Sequence, residues 1–387
     1  MARRDLLFLL FTLCYAVTAT FNIASKNNVA VYYGQGPNQQ RLSTYCADPS
    51  IDIIVLSFVY LFPAQSDGYP GINFGNQCSG TSYPGPGYDG GKKDLSKDEL
   101  LVCPNLQQDL YTCRQTSTKK IILSLGGGTS GYQLTGSADG STFATQLWGM
   151  FGPRTNAWIS QGLPRPFDYD DPASKKVIGF SVDGFDLDIE HEPTDNSADY
   201  KALATKLRSL YSTVSGTYYL TASPQCVVPD ANLAATIQAT SFDMLFVQFY
   251  NTPQCSAARW VAANPNYVPG KGFNSAGFTF QDWTQWLAGT TYSKNARVYV
   301  GLPGSSASAN PGFKLSSAQT RSIAEAYYCM TNFGGIAIWE ATYAAGNIEN
   351  GKNYYQNAKA SLTFASTDKR LSCTVNKRKR DRLLAEA

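Results

Sequence analysis

The sequence is poor in the residues that most often bind metal ions. Its 387 residues include a single histidine, His191, and none of its nine cysteines form a C-x-x-C pair. Zinc sites are built from cysteine and histidine at short spacings, so a zinc centre has almost no ligands to draw on. We therefore expect neither a bound metal nor another cofactor.

The sequence also lacks a large excess of charge of either sign. The chain has 32 Lys and Arg against 29 Asp and Glu, a formal net charge of +3, and part of this comes from the run Lys377–Arg380. Because no basic stripe runs along the rest of the chain, nucleic acid is not an expected partner. Asn-x-Ser/Thr sites are absent too, so we do not expect N-glycosylation.

Long apolar runs are limited to the beginning of the chain. An apolar stretch over residues 6–17 follows Arg3 and Arg4 and precedes the small residues of 17–19. This pattern is typical of a secretory signal peptide, and the stretch is too short for a comfortable membrane span. A retained anchor is the alternative. We predict a signal peptide at 1–19 and no membrane span further on.

Cysteine usage agrees with secretion to the cell exterior or wall. Apart from Cys14, within the predicted signal, eight cysteines remain, an even number suited to an oxidising compartment. After a lead-in at 20–28, one catalytic domain is expected at 29–365, followed by a polar, basic tail at 366–387. We expect a monomer.

Strand-like apolar runs recur between Val29 and Ala341, separated by loops and helical stretches such as Asn105–Cys113, Ser197–Tyr211 and Ser317–Tyr328. This alternation favours a parallel α/β fold, and eight units predict a closed (β/α)8 TIM barrel with extended loops. A doubly wound sheet is the alternative, but no glycine-rich dinucleotide motif follows the first strand. The predicted strands are Val29–Tyr33, Ile53–Tyr60, Lys120–Leu125, Phe185–Ile189, Tyr218–Ala222, Met244–Phe249, Arg297–Val300 and Gly335–Ile338.

The strongest chemical signal is the strand DGFDLDIE at 183–190. Side chains alternate along a strand, so Asp186, Asp188 and Glu190 share one face, opposite Phe185 and its apolar partners. In a barrel, the acids would enter the interior toward the carboxyl ends of the strands. Three carboxyls on one buried face cannot all ionise, and a protonated carboxyl is what a general acid requires.

Glu190 is the natural proton donor, because it lies last on this strand and has the longest side chain. A surface acidic strand or a calcium site are the alternatives. The alternation with large apolar residues disfavours a solvated strand, and calcium ligands usually come from loops with supporting carbonyls.

Five motifs in chain order carry a resemblance to a known family. The strand at 183–190 resembles the signature of the chitinases of glycoside hydrolase family 18, and His191 directly after it resembles the plant and fungal class III branch. The other matches span most of the chain and lie on further predicted strands: VYYGQ at 31–35, SLGG at 124–127, VQFYN at 247–251 and GGIAIW at 334–339.

The resemblance implies an endo-type chitinase that cleaves β-1,4-linked N-acetylglucosamine in chitin and chito-oligosaccharides. In this family the substrate's own acetamido group acts as nucleophile, through an oxazolinium ion and with retention. By resemblance, Glu190 is the general acid and base, Asp188 orients the acetamido nitrogen, and Tyr250 binds its carbonyl oxygen. Asp186 would share a proton with Asp188. The residues implied to contact sugar are Tyr32, Phe58, Asn73, Gly126, Gln248, Asn251 and Trp339.

The resemblance also implies three disulfides, Cys46–Cys113, Cys78–Cys103 and Cys226–Cys255, with Cys329 and Cys373 left to form a bridge or to remain free. Two other functions stay open. An endo-β-N-acetylglucosaminidase acting on N-glycans would share the acidic strand. A lectin of the same fold would bind chitin without cutting it, although such proteins usually replace the terminal Glu of the motif.

Overall fold

The computed structural model describes residues 21–87, 93–371 and 373. The signal peptide predicted at 1–19 and most of the predicted tail lie outside these residues. Eight parallel strands form the centre of the molecule, joined edge to edge. They are β1 (Asn28–Tyr33), β2 (Ile53–Leu61), β4 (Lys120–Gly127), β7 (Gly184–Ile189), β8 (Tyr219–Ala222), β9 (Met244–Gln248), β10 (Arg297–Pro303) and β11 (Phe333–Trp339).

The strands close into a barrel, because β1 pairs on one side with β2 and on the other with β11. Every strand predicted from the sequence is present, and the ends differ by at most three residues. The predicted (β/α)8 barrel is confirmed. Three short strands lie outside the ring: β3 (Gly71–Ile72), which runs antiparallel to β2, and the hairpin β5 (Tyr169–Asp171) and β6 (Lys176–Ile178).

Helices surround the barrel, and several begin where the sequence supplies a cap. Ser316 and Gln319 form a capping box at the start of α9, and Asn353 and Gln356 form another at the start of α11. The helices of the described residues are α1 (Leu42–Ala47), α2 (Pro104–Thr116), α3 (Gly136–Phe151), α4 (Asn156–Ile159), α5 (Ala198–Tyr211), α6 (Ala234–Ala239), α7 (Ala257–Ala263), α8 (Phe280–Ala288), α9 (Ser317–Tyr327), α10 (Ala341–Gly346) and α11 (Tyr354–Thr367). None of these helices is long and apolar enough to cross a bilayer.

Strand alternation separates two cores. Phe185, Leu187 and Ile189 of β7 point outward into the large core between strands and helices. A smaller core fills the lower barrel interior, where Phe246 and Tyr299 pack edge to face with ring centroids 5.0 Å apart. The lead-in closes this end, because Phe21 packs edge to face on Tyr219. The acids of β7 therefore lie above an apolar floor.

Four disulfides join distant parts of the chain: Cys46–Cys113, Cys78–Cys103, Cys226–Cys255 and Cys329–Cys373. The three implied pairings are present, and the two remaining cysteines are bonded to each other. The expected boundary between 365 and 366 falls inside α11, which continues to Thr367. The bond between Cys329 and Cys373 holds the chain beyond this helix against the barrel.

Candidate active site

A pocket opens at the carboxyl ends of the barrel strands, with a cavity volume of about 170 Å³. Seven of the predicted site residues line it, drawn from β1, β7, β9 and β11 and the segments that follow them. They are Tyr32, Asp188, Glu190, Gln248, Tyr250, Asn251 and Trp339. Closure of the barrel thus brings residues from four strands, far apart in the sequence, to one cavity.

Asp186 lies beneath the pocket and is fully buried. Its Oδ2 accepts hydrogen bonds from Ser124 Oγ at 2.8 Å, Tyr32 OH at 3.0 Å and Ser223 Oγ at 3.1 Å, while Oδ1 accepts from Thr221 Oγ1 at 2.6 Å. Burial raises the pKa of Asp186, and these hydroxyl donors oppose the rise by stabilising the carboxylate. Asp186 is therefore held in place by neighbours from three strands.

Asp188 and Glu190 lie next to each other in the pocket. Their side chains are hydrogen-bonded to each other, which requires a proton on one of the two carboxyls. Gln248 Nε2 donates to both, at 3.1 Å to Asp188 Oδ1 and 3.2 Å to Glu190 Oε1. The sharing of a proton expected between Asp186 and Asp188 stays a prediction, and the charge of Asp186 is one of the causes that raise the pKa of Asp188.

Electrostatics favour one proton on this pair. Burial raises the pKa of Asp188 well above its usual range, and the charges of Glu190 and Asp186 raise it further. Burial also raises the pKa of Glu190, which Gln248 opposes by donating to its carboxylate. Since two carboxyls this close titrate together, the proton belongs to the pair and is available at the mouth of the barrel.

Tyr250 provides a neutral hydroxyl beside this pair. It lines the same cavity, and burial together with the charges of Asp188 and Glu190 raises its pKa well above the usual value. The phenol therefore keeps its proton over the whole range in which carboxyls titrate. A neutral phenol can donate a hydrogen bond to a carbonyl oxygen of a bound molecule.

An aromatic wall bounds one side of the cavity. The Trp339 ring is stacked on Phe58, with centroids 5.7 Å apart and planes inclined by 27°, and it also contacts Tyr32. Phe58 is thus behind Trp339 rather than on the cavity surface. Flat apolar faces of this kind are suited to packing against a sugar ring.

Besides Phe58, two predicted binding residues, Asn73 and Gly126, are not part of the cavity surface. Asn73 is exposed, and its side chain accepts the N–H of Gly75 at 2.8 Å, while its backbone pairs with Phe58. At Gly126, a Cβ would lie 2.3 Å from the Asp188 carbonyl oxygen, so this glycine allows close backbone packing and is not part of the cavity surface. Asn251 lines the cavity and also accepts the N–H of Asn310.

The structure adds functional neighbours that the sequence analysis did not single out. Ser223 and Phe246 line the cavity with Gly128 and Ser308, and Tyr132 lies behind Glu190. Ser223 has the same strand parity as Thr221, so extending the β8 pattern by one residue would have found it. Tyr132 is in a loop and Ser308 ends a 3-10 helix of three residues, so neither lies in a segment long enough for a periodic pattern.

Comparison with known families agrees with this arrangement. The model of the glycosyl hydrolases family 18 matches residues 28–319, which is more than half of the chain and includes seven of the eight barrel strands. The chain belongs to glycosyl hydrolase family 18. The resemblance seen in the five sequence motifs is confirmed.

Fungal proteins are among the relatives of this family 18 chain. Endochitinase A of Aspergillus niger is 37% identical over 363 residues, covering 92% of this chain and 26% of that protein. Endochitinase A of Emericella nidulans is 37% identical over 354 residues, covering 90% of this chain and 33% of that protein. The chain thus spans about a quarter to a third of the length of these relatives.

A solved structure shares the fold of this family 18 chain. The chitinase from Ipomoea carnea superimposes with a TM-score of 0.62 at 24% identity, over 86% of this chain and 99% of that one. At this identity the likeness establishes the barrel architecture.

Proposed function

We propose that this family 18 protein is an endo-acting chitinase. Its substrates would be the β-1,4 linkages between N-acetylglucosamine units in chitin and chito-oligosaccharides. The fungal relatives support this proposal, since proteins named endochitinases match it over 90% or more of its length. The cavity supports it too, because carboxyls, a neutral phenol and an aromatic wall lie around one sugar-sized space.

The proton shared by Asp188 and Glu190 carries the mechanism. In the first step Glu190 gives a proton to the glycosidic oxygen as the bond from this oxygen to the anomeric carbon breaks. The acetamido carbonyl oxygen of the same sugar forms a bond to the anomeric carbon, which yields an oxazolinium ion. Glu190 then takes a proton from water as the water oxygen opens the ring, and the configuration is retained.

The neighbours of Glu190 would stabilise this intermediate. Asp188 faces the acetamido N–H and, as a carboxylate, offsets the positive charge of the oxazolinium ion. Tyr250 donates its hydroxyl proton to the acetamido oxygen. Asp186, held by Ser124, Thr221, Tyr32 and Ser223, supports Asp188 from below without meeting the substrate.

The test compares wild-type protein with Glu190→Gln on chito-oligosaccharides, following products and their initial anomer by NMR. Release of β-anomeric products by the wild type is expected, with a loss in the variant of about 100-fold or more, the usual contribution of a general acid. Wild-type protein that binds chitin but cuts nothing would favour the lectin. Cleavage of N-glycans alone would favour the endo-β-N-acetylglucosaminidase.

We also infer that the protein is secreted and acts on chitin outside the cell as a monomer. Four disulfides support this, because such bonds persist in oxidising compartments. Expression of the full chain in a secreting host, with the medium and the cell extract assayed separately, tests the location. Light scattering of the product tests the oligomeric state.

A further inference from the structure

Strands β4 and β7 separate where the active site begins. They are in register up to the pairs Gly126 with Asp188 and Gly127 with Ile189, where both strands end. Gly126 and Gly127 have φ angles of +105° and +96°, values that L side chains rarely adopt, and they turn β4 away from its partner. The backbone N–H of Glu190, next along β7, therefore has no strand partner here.

The hydroxyl of Tyr132 supplies the hydrogen-bond partner that β4 no longer provides at this position. It accepts the N–H of Glu190 at 3.0 Å and lies 3.0 Å from the Gly127 carbonyl oxygen and 3.3 Å from that of Asp188, to which it can donate its proton. One hydroxyl thus joins backbone groups of both strands at the point where they part. A phenylalanine ring could make none of these hydrogen bonds.

The tyrosine ring is held firmly. Tyr132 is 1% exposed, and its ring lies between Phe62 at 5.0 Å and His191 at 4.5 Å between centroids. A Cβ on Gly126 would lie 3.0 Å from the Tyr132 hydroxyl oxygen, so the glycine at this position leaves room for the phenol. The ring is thus fixed before any substrate binds.

We propose that Tyr132 is a positioning residue that fixes the backbone of Glu190. The inference rests on the proposed function, because it acts through the general acid. Tyr132 does not line the cavity, so it acts on the orientation of the Glu190 carboxyl toward Asp188 and the scissile oxygen. Small displacements of a catalytic group reduce the rate of the chemical step while leaving binding nearly unchanged.

Tyr132→Phe tests this, with Tyr200→Phe as the matched control. Tyr200 also packs on Phe62, and its buried hydroxyl has no hydrogen-bond partner among the described residues. Each variant is assayed on chitopentaose and on 4-methylumbelliferyl chitobioside, whose phenolic leaving group needs less help from an acid. For Tyr132→Phe we expect kcat on chitopentaose to fall about tenfold, with a smaller loss on the aryl substrate and KM within about twofold.

The outcomes separate positioning from a structural role. The control should keep kcat within about twofold on both substrates, as expected for a hydroxyl without a partner. The inference is overturned if Tyr132→Phe behaves like the control, or if it loses the same factor on both substrates together with its melting temperature. Wild-type protein inert on both substrates would overturn the proposed function, and this inference with it.

Discussion

The side-chain amide of Gln248 donates hydrogen bonds to three groups around the pocket. Its Nε2 is 3.1 Å from Asp188 Oδ1, 3.2 Å from Glu190 Oε1 and 3.1 Å from the Ser223 carbonyl oxygen. An N–H donor stabilises an ionised carboxyl more than a protonated one, so this amide lowers the pKa of both acids and opposes the rise caused by burial. The pH range of activity therefore depends on a residue that itself does not titrate.

Gln248→Met is expected to move the alkaline limb of the pH profile upward. In the proposed mechanism, activity needs a proton on Glu190 and would be lost as pH rises through the raised pKa of the acidic pair. Without the amide that pKa rises further, by about one unit, since a hydrogen bond to a charged group contributes about 1.5 kcal/mol. The profile of kcat/KM against pH measures it.

The matched control is Gln319→Met, because this glutamine caps α9 far from the cavity. It should leave the alkaline limb unmoved. A downward shift in Gln248→Met, or no shift at all, would contradict the assignment of this limb to the pair of Asp188 and Glu190.

The connection from β7 to α5 contains a second pair of acids, at the start of the helix. Asp199 is fully buried in the first turn of α5, and its backbone N–H donates to Asp195 Oδ2 at 3.1 Å. Burial raises the pKa of Asp199 to about 6, and the neighbouring charge of Asp195 adds to the effect. Asp199 therefore holds a proton in the folded protein at pH values at which an ordinary aspartate is ionised.

Because of Asp199, we expect the stability of the protein to fall as the pH rises from about 4 to about 6. Its pKa is raised in the folded state, so the folded protein binds more protons than the unfolded chain over this range. Asp199→Asn, which can donate to Asp195 without a proton, should remove this part of the pH dependence. Melting temperatures measured from pH 4 to pH 8 test it.

Asp282→Asn serves as the control for this element, because Asp282 lies in the first turn of α8 and is exposed. Its melting curve should follow the wild type at each pH. If Asp199→Asn shows the wild-type slope as well, the proton on Asp199 does not contribute to the pH dependence of stability.

Disulfides lie at both ends of the barrel as a whole. Cys226–Cys255 joins the segments after β8 and β9, on the side of the pocket, and closes 29 residues. Cys329–Cys373 joins the segment before β11 to the chain beyond α11, on the opposite side, and closes 44 residues. Each disulfide restricts the unfolded chain by closing a loop, but only Cys226–Cys255 lies on the side of the barrel where the pocket opens.

Replacing Cys329 and Cys373 together by Ala is expected to lower the free energy of unfolding by about 3 kcal/mol without changing kcat or KM at 25 °C. The loss arises because the unfolded chain, once it lacks the bond that closes 44 residues, gains conformational entropy. Thermal unfolding and kinetics on chito-oligosaccharides measure the two quantities. Replacing Cys226 and Cys255 instead should also raise KM, and a changed KM in the first variant would contradict the separation of the two ends.

The sequence alone determined the strands and which side chains share a face, because alternation depends on local backbone geometry. The interior positions of Asp186, Asp188 and Glu190 followed from that pattern. Motif resemblance then led to family 18 and to the cysteine pairs.

Only the tertiary structure decided which groups meet at the mouth of the barrel. The hydroxyls around Asp186 come from Ser124 and Thr221 on two different strands, and Gln248 on a third strand donates to both Asp188 and Glu190. Tyr132 reaches Glu190 from a loop 58 residues away in the chain. Such contacts depend on how strands close and where loops return, and no local pattern in the sequence records these distances.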